Sequence, residues 1–347
     1  MKSIKGLQGV ILLREEVQEK SGLQNFIPNR IAVNSTMVYN IGMGKSLKHK
    51  KNFIHTIEMR NETEFSDVYE RHKDAVYNHI AYKMESFDFD IDLLVIIQNC
   101  DDIKDLINQE TGNAGTTLKE NKFTVILNID SFKKMDYDGG LDVAISVLHE
   151  LAHVYDLYNT MHNKFYPINP LKNNHEELDD FIITIGGRFW TEFFAYFKTF
   201  KEFKKQCGYP TFLKLTNGYE KLQERCEAIK AMLESQSEEA KSGIADFRDE
   251  IDNFAYMLAK HIAGDIAGKP YNYEYCEKTQ NRASFEIVEE LKYGLLDKII
   301  PLLTNTYGRG MKKKMYKLGN YLIDNLYGEF NLFPVKHQKY IRFAYCF

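Results

Sequence analysis

One eleven-residue stretch limits what this chain can fold into more than any other. Val147 to Leu157 reads VLHELAHVYDL and carries His149, Glu150 and His153 in H-E-x-x-H spacing. On a helix, side chains four residues apart share a face, so both imidazoles reach a single ion, while Glu150 projects from the edge of that face. Val147, Leu148, Leu151, Ala152 and Val154 around them are uncharged, which suits a helix buried within a domain. Two histidines and a glutamate on such a helix are costly unless something satisfies them. The expectation is two neutral imidazole ligands for Zn2+, an open coordination position and Glu150 as general base, the layout of a zinc hydrolase. The competing reading is an amphipathic helix whose histidines are solvated or hydrogen-bonded in a core.

A catalytic zinc usually takes a third protein ligand, and four places could supply it. Asp156 lies on the stripe of His153 but one turn further along, at ~1.5 Å rise per residue. That is too far to close the coordination sphere, so it is expected just outside, orienting a histidine or nearby backbone. His175 and Glu176 form an H-E pair without a second histidine and read as a helix N-terminus, where acids are favoured. Glu192 is the strongest. It lies in Arg188 to Phe197, RFWTEFFAYF, a mostly apolar stretch in which a lone carboxylate demands a partner. Ala195, one turn on, is small enough to let two helices approach. The alternative partner for Glu192 is Arg188 at i−4.

H-E-x-x-H followed by E-x-x-A on a later helix (Glu192 to Ala195) resembles the gluzincin group of zincin metallopeptidases, and among these the small intracellular members of bacteria, phages and mobile elements. The resemblance spans roughly residues 90 to 205. It implies His149, His153 and Glu192 as zinc ligands and Glu150 as the base. It also implies a sheet strand before the motif helix and an edge strand that holds substrate in extended form. Lys122 to Asp130 and the Gly115, Thr116, Thr117 segment fit those slots. Two positions depart from the pattern: Ser146 stands where Val or Thr is preferred, and Tyr196 where thermolysin-type members carry aspartate. For stabilising an oxyanion, Tyr155, Tyr158, His162, Tyr196 and Arg188 are open candidates; for Tyr155 and Tyr158, packing behind the motif helix is the plainer role.

The chain's 347 residues exceed what one small core uses. Net charge is −4 and the sequence pI near 6.2, so no global field favours nucleic acid or an anionic membrane. The basic runs Lys45 to Lys51 and Lys312 to Lys314 read as solvated faces. Cys100, Cys207, Cys226, Cys276 and Cys346 are odd in number and lack a C-x-x-C pair, which suggests reduced thiols. The apolar run Gly9 to Leu13 is too short for a signal core, and no stretch approaches the ~20 apolar residues of a membrane span. A cytoplasmic location is expected.

Periodicity predicts helices over Glu64 to Met84, Leu141 to His162 and His175 to Phe203, the last with a break or kink at Gly186-Gly187. Further helices are predicted over Gly218 to Ser235, Glu238 to Ala267, Arg282 to Pro301 and Met311 to Phe330. Strands are predicted over Asp90 to Gln98 and Lys122 to Asp130, a capped short helix over Asp101 to Gln109, and β-prone pieces such as Arg30 to Asn40. The fold class is therefore α+β. A β-prone segment, 1–60, leads into a zincin-like core, 61–207, made of a small mixed sheet, the motif helix and a crossing ligand helix. An all-helical domain, 208–347, follows. The expected activity is zinc-dependent hydrolysis of a polypeptide substrate; a toxin protease would share that chemistry. The alternative is a regulatory protein on a zincin scaffold whose helical half binds a protein partner.

Overall fold

The computed structural model describes residues 55–59, 66–87, 93–98, 114–119, 122–128, 140–162, 175–203, 211–235, 240–268, 282–304, 306–308, 310–337 and 339–345. The β-prone pieces expected before residue 55 and the short helix expected over Asp101 to Gln109 lie outside them.

Strands β1 (His55–Met59), β2 (Leu93–Gln98), β3 (Ala114–Lys119) and β4 (Lys122–Asn128) form a sheet in the order β1-β2-β4-β3. The first three in that order run parallel; β3 pairs antiparallel with β4, Ala114 opposite Leu127 and Lys119 opposite Lys122. β2 and β4 are continuous apolar runs, as interior strands of a parallel sheet require, and Phe123, Val125, Ile126 and Leu127 are buried. β3, AGTTLK, is small and polar and takes the edge.

Helix α1 (Ser66–Ser86) lies between the parallel strands β1 and β2, whose crossover it occupies. Helix α2 (Leu141–His162) carries the H-E-x-x-H residues and packs on β3 and β4. Gly140 precedes it at φ 81, a conformation that glycine alone adopts cheaply.

Helix α3 (Leu178–Glu202) is apolar nearly all round, which places it centrally. Phe189, Trp190, Phe193 and Phe200 are fully buried. It contacts α2 on one side and, from the other half of the chain, α5 (Ala240–Ile266) and α7 (Met311–Leu322). The break expected at Gly186-Gly187 does not occur. A Cβ on Gly186 would stand 2.2 Å from the Met315 carbonyl oxygen, and one on Gly319 1.9 Å from that of Ile182. These glycines therefore allow α3 and α7 to cross backbone against backbone. Helices α4 (Phe212–Glu234) and α6 (Arg282–Thr304) complete the helical layer.

The back half is not all helical. α7 passes into a π turn (Ile323–Tyr327) and a 3-10 turn (Gly328–Phe330), and Asn331 at φ 57 ends the run. Asparagine tolerates that left-handed conformation. An antiparallel hairpin follows, β5 (Leu332–His337) with β6 (Tyr340–Tyr345). It is held by burial of Leu332 and Ile341, and the Ile341 amide donates to the His175 carbonyl at 2.8 Å. Residues 51–347 form one compact unit, and one apolar cluster runs from Val76 to Ile341. The boundary expected at residue 207 thus separates two stretches of chain sharing a core. Among the described residues, no helix is long and apolar enough to cross a membrane.

Candidate metal centre

His149 and His153 project from adjacent turns of α2, and their Nε2 atoms lie 3.1 Å apart. From α3, the Glu192 carboxylate turns one oxygen to each ring: Oε2 is 3.9 Å from His149 Nε2 and Oε1 is 3.7 Å from His153 Nε2. Three donors thus converge from two helices. The packing of α2 on α3 makes this possible, with Ala152 and Ala195 both fully buried. The charge of Arg188, one turn before Glu192, bears on Asp252, Tyr256 and Tyr327.

Glu150 is buried and lies with the two histidines in a cluster whose ligand atoms are all within 4.8 Å of one another. Glu192 falls outside that tight cluster, yet its oxygens face both Nε2 atoms, and we take it as the better third donor. The Glu150 carboxylate is already engaged: Thr116 Oγ1, on the edge strand β3, donates to Oε2 at 2.7 Å. The same hydroxyl lies 3.3 Å from the Glu150 carbonyl oxygen. A residue expected only to line the substrate thus also fixes the rotamer of the base.

The electrostatics suit a cation. Burial holds the His149 imidazole well below its ordinary pKa, with the neighbouring His153 and Lys260 adding to the effect. Burial lowers His153 to about 4, so both rings are neutral at pH 7. Burial raises Glu192 to about 7. Glu150 rises to about 8 through burial, a shift opposed by the Thr116 hydrogen bond and reinforced by Glu192. Two buried carboxylates beside two neutral imidazoles are costly without a positive charge among them. Zinc bonds of ~2.0–2.1 Å in tetrahedral geometry set donors about 3.3 Å apart, close to the separation of the two Nε2 atoms. The donor set therefore fits a divalent metal of the zinc type, which His149 and His153 could hold together with a carboxylate of Glu150 or Glu192.

A chain of side chains backs His153. Its Nδ1 lies 3.2 Å from Thr191 Oγ1, and the Thr191 hydroxyl donates to Asp156. Asp156, fully buried, also accepts from Trp190 Nε1 at 2.8 Å and from the Tyr307 hydroxyl at 2.6 Å. Asp156 thus stands outside the donor set and reaches His153 through Thr191. Thr191 was not singled out from sequence; its position beside Glu192 was the available signal.

The other candidates separate cleanly. The Tyr196 ring lies 4.5 Å from that of His149. Burial, with the charges of Glu192 and Glu150, raises its phenol pKa, so it stays protonated and able to donate. Tyr155 packs among Phe87, Phe194 and Tyr307, and Tyr158 against the core. His175 is buried beside Thr184 Oγ1 at 3.0 Å, while Glu176 is exposed. His162 closes α2, and Gly115 and Thr117 flank Thr116 on β3; the side chains of His162 and Thr117 lie outside the described set. Comparison of the chain with family models, with curated proteins and with solved structures finds no match.

Proposed function

We propose that the protein is a zinc-dependent peptidase of the zincin type, with His149, His153 and Glu192 as metal ligands and Glu150 as general base. The observation that carries this reading is Glu192, whose two carboxylate oxygens each face one of the two imidazole Nε2 atoms. Held by those donors, Zn2+ would supply Lewis-acid polarisation of a carbonyl and would lower the pKa of a bound water towards ~7.

The residues of the chain do the rest. Glu150 takes a proton from water as it attacks the peptide carbonyl, then returns one to the leaving amine. Thr116 keeps that carboxylate in place by donating to Oε2, leaving Oε1 for the proton. Tyr196, protonated and with its ring against His149, is the hydroxyl we assign to donate to an oxyanion. The outer edge of β3 accepts a polypeptide in extended form by main-chain pairing, which gives affinity with little demand on sequence. The cysteine pattern supports a cytoplasmic location.

Metal analysis after chelator-free purification tests the reading. We expect about one zinc per chain, lost in His149→Ala and in Glu192→Ala, and retained in Glu150→Gln without peptide hydrolysis. A zinc-free wild type, or a fully active Glu150→Gln protein, overturns it.

A further inference from the structure

At Asp156 the helical half of the chain reaches towards the metal centre. Asp156 Oδ1 accepts from Trp190 Nε1 on α3 at 2.8 Å and from the Tyr307 hydroxyl at 2.6 Å, and Thr191 donates to the same carboxylate. Tyr307 lies between α6 and α7 with its backbone at φ 59, a left-handed conformation that is costly for a bulky residue. Several contacts hold it there. The Tyr307 amide donates to Met311 Sδ at 3.1 Å, the Met311 amide donates to the Gly308 carbonyl at 3.2 Å, and the ring meets Tyr155 and Phe194 edge-on. Burial, with the charge of Asp156, holds the phenol well above its ordinary pKa, so it stays protonated and donates. Strain of this kind persists only where the surrounding structure imposes it, and it collects at functional sites.

We propose that Tyr307 is a positioning residue of the metal centre: by donating to Asp156 it sets, through Thr191, which nitrogen of His153 is left to bind a metal. This rests on the metal reading of the centre. Burial pushes Asp156 up to about 6, and among the hydrogen bonds that oppose the shift that of Tyr307 is the largest. An ionised Asp156 can only accept, so the Thr191 hydroxyl turns to it and the Thr191 oxygen accepts from His153 Nδ1–H. Without the Tyr307 hydroxyl, burial prevails and Asp156 takes up a proton near neutral pH. A protonated carboxyl donates, so the Thr191 hydroxyl reverses and donates to Nδ1. The ring then carries its proton on Nε2, the atom that faces His149 and Glu192, and that atom has no lone pair for a metal. A buried charge adds little to stability by itself. The three donors that converge on Asp156 are better accounted for by the ring they orient.

Two measurements test this. The tautomer of His153 is read from side-chain proton–nitrogen correlations of the metal-free protein, assigned by their loss in His153→Gln. Zinc affinity is read by competition with a chromophoric chelator. We expect Nδ1–H in the wild type and a shift towards Nε2–H in Tyr307→Phe, which loses the hydroxyl and keeps the ring, with zinc bound about tenfold more weakly. Gly310→Ala strains the same loop and keeps the hydroxyl, because Gly310 stands at φ 91 with open space where a Cβ would lie. It should lower the melting temperature and leave tautomer and zinc affinity as in the wild type. Nε2–H in the wild type overturns the proposal, as does a Tyr307→Phe protein with unchanged tautomer or unchanged zinc affinity. Equal loss of zinc affinity in Tyr307→Phe and Gly310→Ala also overturns it. Zinc content of the wild type reads the metal centre separately. Without zinc the peptidase reading falls, and the tautomers still decide for or against Tyr307.

Discussion

Thr191 Oγ1 lies 3.2 Å from His153 Nδ1, and this contact selects the tautomer of the ring. Asp156 only accepts, so the Thr191 hydroxyl donates to it, and the Thr191 oxygen is left to accept from Nδ1–H. Nε2 then keeps its lone pair and points towards His149 and Glu192. A neutral imidazole with its free nitrogen facing other donors is the form that a metal requires.

Thr191→Val should therefore weaken zinc binding by about tenfold, the low end for loss of an outer partner, with little change in the melting temperature of the metal-free protein. Asp156→Ala should act differently. It leaves Trp190 Nε1 and the Tyr307 hydroxyl without their acceptor in a buried place. That should cost about 2–4 kcal/mol of stability, read by urea denaturation of metal-free protein. Equal effects of the two substitutions on both measurements would show that the chain of contacts is not organised in this way.

Zinc affinity should depend on pH through Glu192. Both imidazoles are already neutral above pH 6, but Glu192 titrates at about 7 in the metal-free protein. A ligand must shed its proton to bind, so binding releases a proton and weakens as pH falls. Between pH 8 and pH 6 the dissociation constant should rise about tenfold, by competition titration against a chromophoric chelator. Glu192→Gln should weaken binding at every pH and flatten the dependence.

Thr116 and Glu150 couple the edge strand to the base. The Thr116 hydrogen bond stabilises the ionised carboxylate and opposes the upward shift that burial and Glu192 impose. Removing it in Thr116→Val raises the pKa of Glu150. The base must be ionised to take a proton, so the acidic limb of kcat/KM should move to higher pH, by about one unit for a bond worth ~1.4 kcal/mol. An unmoved limb with a lower plateau would mean that Thr116 acts on substrate alone.

Much of the centre was legible because its parts follow local rules. His149 and His153 share a face through helical period, and an isolated carboxylate in RFWTEFFAYF had to find a partner. The extents of α2, α3 and β4 follow from apolar periodicity in the same way. What escaped depends on tertiary placement. Lys260 sits in an ordinary amphipathic helix, and only the register of α5 along α3 brings it to Tyr196. The terminal hairpin falls in a half expected to be all helical: the helical period of Met311 to Phe330 ends just before it, and burial of Leu332 and Ile341 decides the strands that follow. Gly186 was read as a breaker because a glycine within a helix looks alike in sequence whether it bends the helix or admits a neighbour.

That last distinction can be measured. By propensity alone, Gly186→Ala should stabilise α3 by up to about 1 kcal/mol. The new Cβ, however, would stand 2.2 Å from the Met315 carbonyl oxygen and 2.7 Å from the Gly319 nitrogen, both backbone atoms that no rotamer change can clear. α7 would have to move away from α3, at a cost of roughly 1–3 kcal/mol or more for overpacking. The steric term exceeds the propensity term, so Gly186→Ala should lower stability in urea denaturation. Because α3 also carries Glu192, the same substitution should weaken zinc binding although it lies nearly two turns away. A stabilised Gly186→Ala protein would mean that α3 and α7 are not in backbone contact.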